Sequence, residues 1–130
     1  MSQGVYIKKT ALIVEDEPIL ARSFKKILAG DGFIVDTAAD GNIACSMVMQ
    51  EAFDLCILNL HLPGMNGMEF YRFLQHELPG LSFNTLFTTG DVLSGETETF
   101  LKDSGQPFLL KPFTPDELRT AVGRMMHQAE

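Results

Sequence analysis

The chain has 130 residues, 45% hydrophobic and 21% charged, with 10 Lys and Arg against 17 Asp and Glu for a net charge of −7. This length holds one domain with a conventional core, needing no metal or disulfide staple, and the composition excludes disorder and fibrous structure. The acidity argues against nucleic acid as a direct partner, because phosphate binding rests on basic surface.

Ala11-Leu12-Ile13-Val14 is a short apolar run of the kind that forms a strand buried on both faces of a parallel sheet. A helix follows, with Pro18 at its first position, Leu20, Phe24, Ile27 and Leu28 on one face, and a stop near Gly30. Phe33 to Ala38 is a more mixed strand suited to a sheet edge, and Ala44, Met47 and Val48 mark the next helix. Leu55-Cys56-Ile57-Leu58 is a second buried strand, followed by a helix carrying Phe70, Phe73 and Leu74. Thr85 to Thr88 forms another strand; the helix from Ser94 to Asp103 is weaker, with only Phe100 and Leu101 strongly apolar. Phe108-Leu109-Leu110 is the last strand. The closing helix starts at Pro115 and lines up Leu118, Ala121, Val122 and Met125. Five strands alternating with five helices make a single α/β domain spanning 1–130, with its core from about 9 to 126.

The two cysteines, Cys45 and Cys56, lack disulfide-framework or metal spacing and are expected to be reduced core thiols. No signal-peptide pattern and no run of membrane-spanning length occurs, so a cytoplasmic location away from the membrane is expected.

In doubly wound folds the polar chemistry collects beyond the carboxyl ends of the strands. There the sequence places Glu15 and Asp16, then Asn59, then Thr88 and Thr89, then Lys111-Pro112. Carboxylate and amide oxygens of this kind suit Mg²⁺, which takes one or two carboxylates and keeps several waters.

These residues make the chain resemble the receiver domain of two-component response regulators. The resemblance runs over about residues 9–126. It rests on Val14-Glu15-Asp16-Glu17, on Leu60-His61-Leu62-Pro63-Gly64-Met65-Asn66-Gly67, on Thr89-Gly90 and on Lys111-Pro112-Phe113. It implies a CheY-like (βα)5 fold with strand order 2-1-3-4-5 and a non-enzymatic signalling role. In that role a sensor histidine kinase or phosphotransfer protein passes a phosphoryl group to an aspartate at the third strand. Carried onto this chain, Glu15 and Asp16 are the acidic pair, with Asp16 the direct Mg²⁺ ligand and the His61 backbone carbonyl another. Thr89, rather than its neighbour Thr88, is the switch hydroxyl, because a small residue follows it. Lys111 is the phosphate partner, aimed inward by a cis bond to Pro112, and Phe108 is the switch aromatic. The resemblance further implies kinase docking on the first helix and a possible homodimer through the fourth helix, fifth strand and fifth helix.

One position breaks the pattern: Asn59 stands where the family has its phosphoacceptor aspartate. A carboxamide lacks the anionic oxygen that attacks phosphorus, so phosphorylation at Asn59 is not expected, and Mg²⁺ affinity should be weak. The sequence is compatible with a natural amide in a phosphorylation-independent interaction module and with an engineered replacement of aspartate. No helix-turn-helix pattern follows residue 126. A stand-alone regulator and a receiver cut from a longer chain both fit; the stretch 87–92 with Ser94 and Phe100 resembles the receivers of hybrid histidine kinases. Two other α/β chemistries fit poorly. A haloacid-dehalogenase-type enzyme needs an Asp-x-Asp pair where this chain has Asn59-Leu60-His61, and a flavin site would find phosphate repelled by Glu15-Asp16-Glu17. His61 should face solvent near the pocket mouth; His76 and His127 read as surface residues.

Overall fold

The structure, a computed structural model, describes residues 8–90 and 95–129, with side chains as far as Met126. Asp91, Val92 and Ser94 of the hybrid-kinase-like stretch, and the His127 side chain, lie outside what it describes. The strands are β1 (Thr10–Val14), β2 (Ile34–Ala38), β3 (Leu55–Asn59), β4 (Thr85–Thr89) and β5 (Phe108–Leu110). The helices are α1 (Pro18–Gly30), α2 (Gly41–Gln50), α3 (Gly67–Glu77), α4 (Pro79–Ser82), α5 (Gly95–Ser104) and α6 (Pro115–Ala129). All strand pairs are parallel and the order is β2-β1-β3-β4-β5, the expected doubly wound arrangement.

Burial explains the order. Every residue of β3 and β4 is buried, as continuous apolar runs demand of central parallel strands. β2 buries only Val35 and Ala38, fitting its edge position. β5 departs from the expectation of burial on both faces: it forms the opposite edge, Phe108 and Leu109 are half-buried, and Leu110 is 47% exposed.

Side chains alternate across the sheet into two cores. Leu12, Leu58 and Phe87 join Ala44, Val48, Phe70 and Leu74 on the face covered by α2 and α3. Ile13, Ile57 and Leu86 join Phe24, Leu28, Leu118 and Val122 on the face covered by α1 and α6. The buried Tyr71 meets Phe87 and Phe100 edge-on at 4.9 and 5.8 Å.

The five expected helices are present, the fourth and fifth of them being α5 and α6. The one-turn α4 was not legible as periodicity because four residues contain barely one helical turn. Local capping sets the starts: Asp40 Oδ1 accepts from Ile43 N at 2.8 Å for α2, and Asn66 and Glu69 form a reciprocal box at α3. Thr114 and Glu117 form the same pair at α6, their backbone N–H groups donating across at 2.9 and 3.1 Å. The core does not claim Ile19, which is 76% exposed on α1.

Candidate functional site

The carboxyl ends of β1, β3 and β5 bring Glu15, Asp16, Asn59 and Lys111 into one hydrogen-bonded cluster. Asn59 and Thr89, expected just past their strands, are the last residues of β3 and β4, so the ladder itself fixes their backbones. Glu15 N–H still donates to Ala38 O at 3.0 Å, holding Glu15 against β2. Lys111 N–H donates to Thr89 O at 2.8 Å, and the Lys111-Pro112 bond is cis, as the resemblance implied.

Asn59 stands at the centre. Its Nδ2 donates to Asp16 Oδ1 at 3.0 Å, to the His61 carbonyl at 3.2 Å and to Glu15 Oε2 at 3.3 Å; its Oδ1 accepts from His61 N at 3.3 Å. Two N–H bonds serve three oxygens, so at least one is shared. Glu15, 3% exposed, also receives Lys111 Nζ on Oε1 at 2.8 Å and Glu17 N on Oε2 at 3.1 Å. A buried carboxylate needs such partners, since an unpaired buried charge is costly. Asp16 is exposed at the rim.

The loop after β3 is clamped from below. Gly67 N–H donates to Leu60 O at 2.8 Å, and a Cβ on Gly67 would lie 2.3 Å from Asn59 O, so only glycine lets α3 start this close to β3. Gly41 plays the same part toward Met65 O, where a Cβ would come within 2.7 Å. The clamp sets the height of the His61 carbonyl, while the His61 residue is exposed, as expected.

The oxygens of Asp16, Glu15, Asn59 and His61 match the hard donors that Mg²⁺ takes. Among the described residues no three His, Cys, Asp or Glu side chains are grouped as metal ligands, so a cation here would also draw on amide and backbone oxygens. In the present arrangement the Asn59 NH₂ points at those oxygens and satisfies them with a neutral donor.

Thr89 is fully buried, and Phe108 packs half-buried against the α2/α3 core. Sequence reasoning missed two features. One is that Glu15, not residue 59, holds Lys111. The other is that the buried Thr88 Oγ1 has no hydrogen-bond partner. The first follows from charge, since Asn59 offers an ammonium no anion; the second had no sequence signal beyond a polar residue in an apolar strand. Burial raises the pKa of both thiols, Cys56 strongly, which agrees with free, inert cysteines.

Comparison with known proteins places these features in a family. The model for the response regulator receiver domain matches residues 11–123. The chain is 32% identical over 126 residues to the DNA-binding response regulator MtrA of Mycolicibacterium smegmatis, an overlap of 95% of this chain and 53% of that protein. It is 34% identical over 116 residues to the sensor histidine kinase AruS of Pseudomonas aeruginosa, covering 88% of this chain and 12% of that one. The chain thus spans about half the length of the MtrA relatives it matches. Among solved structures, a CheY-like receiver domain protein from Methanospirillum hungatei superposes with TM-score 0.87 at 27% identity, covering 95% of this chain and 97% of that one. The response regulator TrrA of Thermotoga maritima, solved in complex with Mg(2+)-BeF, gives 0.79 at 25% identity, covering 90% and 98%.

Proposed function

The chain belongs to the response regulator receiver domain family of two-component signalling, and on that premise we propose that it is a receiver that signals without accepting phosphate at residue 59. The observation that carries this reading is the Asn59 amide, hydrogen-bonded to Glu15, Asp16 and the His61 carbonyl at the end of β3. The neutral NH₂ lowers the repulsion between the two carboxylates and supplies no nucleophilic anion. Two carboxylates about 5 Å apart repel by about 3 kcal/mol at an effective dielectric of about 20, and a donor between them relieves part of that.

In this reading the residues keep the family's roles. Asp16, with Glu15, the Asn59 amide oxygen and the His61 carbonyl, would hold Mg²⁺, which in the family neutralises phosphoryl oxygens; affinity is weak because one carboxylate is missing. Thr89 and Phe108 are the switch hydroxyl and switch aromatic, and Lys111 is the ammonium of the pocket. The output is protein contact rather than catalysis. A sensor histidine kinase or phosphotransfer protein is the partner, with α5, β5 and α6 as the homodimer face, no direct nucleic-acid contact and a cytoplasmic setting. Among the described residues no helix is long and apolar enough to cross a membrane. The chain acts as a single receiver domain over 1–130.

A second reading is favoured by the AruS match, in which the aligned region is a small part of a sensor histidine kinase: the chain is a receiver from such a hybrid kinase.

Incubation with acetyl phosphate and Mg²⁺, read by intact mass, tests the proposal. The native chain should gain nothing at Asn59, and Asn59→Asp should gain one phosphoryl group. Phosphate on native residue 59 would overturn it.

A further inference from the structure

Glu15 holds two groups that can react with each other. Its Oε1 accepts from Lys111 Nζ at 2.8 Å, and its Oε2 accepts from Asn59 Nδ2 at 3.3 Å. An amine and a carboxamide thus sit on the two oxygens of one carboxylate, where the ends of β1, β3 and β5 meet. The place is sheltered from water: the Glu15 side chain is 1% exposed, that of Lys111 18%, and Asn59 6%. Both backbones are fixed by the sheet, since Asn59 ends β3 and Lys111 N–H donates to Thr89 O at 2.8 Å. The four-carbon stem of the lysine keeps its freedom.

These groups supply each part of an acyl transfer from amide to amine. A protonated lysine is no nucleophile, and Glu15 Oε1 is in place to take its proton. That transfer dissolves the ion pair and frees the amine to swing onto Asn59 Cγ, one carboxylate away. Asn59 Oδ1 accepts from His61 N at 3.3 Å, a donor that stabilises the negative charge developing on this oxygen as Nζ adds. Glu15 Oε2, already against Nδ2, hands the proton to the leaving nitrogen. The Nζ–Cγ bond forms and the Cγ–Nδ2 bond breaks. Nζ gives up two protons and Nδ2 leaves with both, as ammonium; nothing is oxidised or reduced, and Glu15 is regenerated. The sheltered setting keeps water from competing for Cγ, and the fixed strands replace a bimolecular encounter by an intramolecular one. An aspartate at residue 59 would stop the reaction, because an ionised carboxylate resists attack by an amine.

We propose that the folded chain forms an isopeptide bond between Lys111 Nζ and Asn59 Cγ, with Glu15 as the catalytic residue that carries the proton. The bond joins β3 to the end of β5 across β4. It goes beyond the receiver reading and does not depend on it.

The test is intact mass of the purified chain, followed over days. The folded native chain should lose one ammonia, and proteolysis should yield a branched peptide joining residues 59 and 111. The same chain held in urea should keep its full mass. Lys111→Arg, which still offers Glu15 a cation, and Asn59→Asp should keep their full mass while folded, as should Glu15→Gln; folding of each is checked by circular dichroism. Hydroxylamine opens the succinimide that an asparagine forms by itself, and should leave the branched product intact. An unchanged mass of the folded native chain overturns the proposal. So does an ammonia loss that persists in Lys111→Arg, or one that hydroxylamine removes. Equal loss in folded Glu15→Gln overturns the role of Glu15, and if that variant does not fold, Lys111→Arg decides the bond.

Discussion

Lys111 Nζ lies 2.8 Å from Glu15 Oε1, joining the ends of β5 and β1 across 96 residues of sequence. The Glu15 side chain is 1% exposed and that of Lys111 18%, so the pair is largely shielded from solvent and salt. Neutral Asn59 does not compete for the ammonium, and the buried carboxylate takes it.

Removing one partner strands the other's charge, which sets the first expectation. Lys111→Met should lower unfolding stability by about 2–3 kcal/mol, a value discounted from fully buried pairs because the ammonium retains some solvent contact. Adding Glu15→Gln should restore part of the loss, giving a favourable coupling in a double-mutant cycle by urea denaturation. Purely additive losses would show that the pair contributes nothing.

Restoring a carboxylate at residue 59 raises the charge density at the rim. Without Mg²⁺, Asn59→Asp should be less stable than the native chain by about 1–2 kcal/mol, because the amide's donors to Glu15 and Asp16 are replaced by a like charge. Added Mg²⁺ should raise its melting temperature more than that of the native chain, by binding the folded state. Equal Mg²⁺ responses in the two proteins would contradict this.

Gly67 tests the clamp under the loop. A Cβ there would lie 2.3 Å from Asn59 O, 2.6 Å from Leu60 Cα and 2.9 Å from Leu60 O, all backbone atoms that cannot rotate away. Gly67→Ala should therefore cost about 3 kcal/mol or more and displace the His61 carbonyl. Gly80→Ala, with nothing within 4 Å of its Cβ, should cost far less. Comparable denaturation midpoints for the two would refute the clamp.

Burial raises the Cys56 pKa above its ordinary value of 9.0 and, through desolvation partly opposed by a hydrogen bond with Ser82, raises that of Tyr71 above 10.0. A raised native pKa means the folded chain holds protons that the unfolded chain releases. The stabilisation is therefore full below about pH 9 and declines as pH rises beyond it. Urea midpoints should hold steady from pH 7 to 8.5 and fall toward pH 10.5. Cys56→Ala should fall less steeply, and an identical slope would remove Cys56 from the account.

Much of the fold could be read from particular runs. Ala11–Val14 and Leu55–Leu58 are apolar at every position, as strands covered on both faces are, and β2's mixed pattern marked its edge. The edge exposure of β5 escaped, because Phe108-Leu109-Leu110 has the composition of a central strand. The capping pairs Asn66/Glu69 and Thr114/Glu117 could have been read from their three-residue spacing.

Which groups reach the rim can be read from residue order, since each lies at or just past a strand end marked by its own residues, and so can the neutrality of residue 59. Who bonds to whom is set by packing. Lys111's choice of Glu15, the three oxygens around the Asn59 NH₂ and the solitary Thr88 hydroxyl depend on strand register and on the packing of Gly67 against β3. Hydrogen bonds weaken steeply with small changes in distance and angle. A pattern of residue types carries no such distances; the packed sheet does.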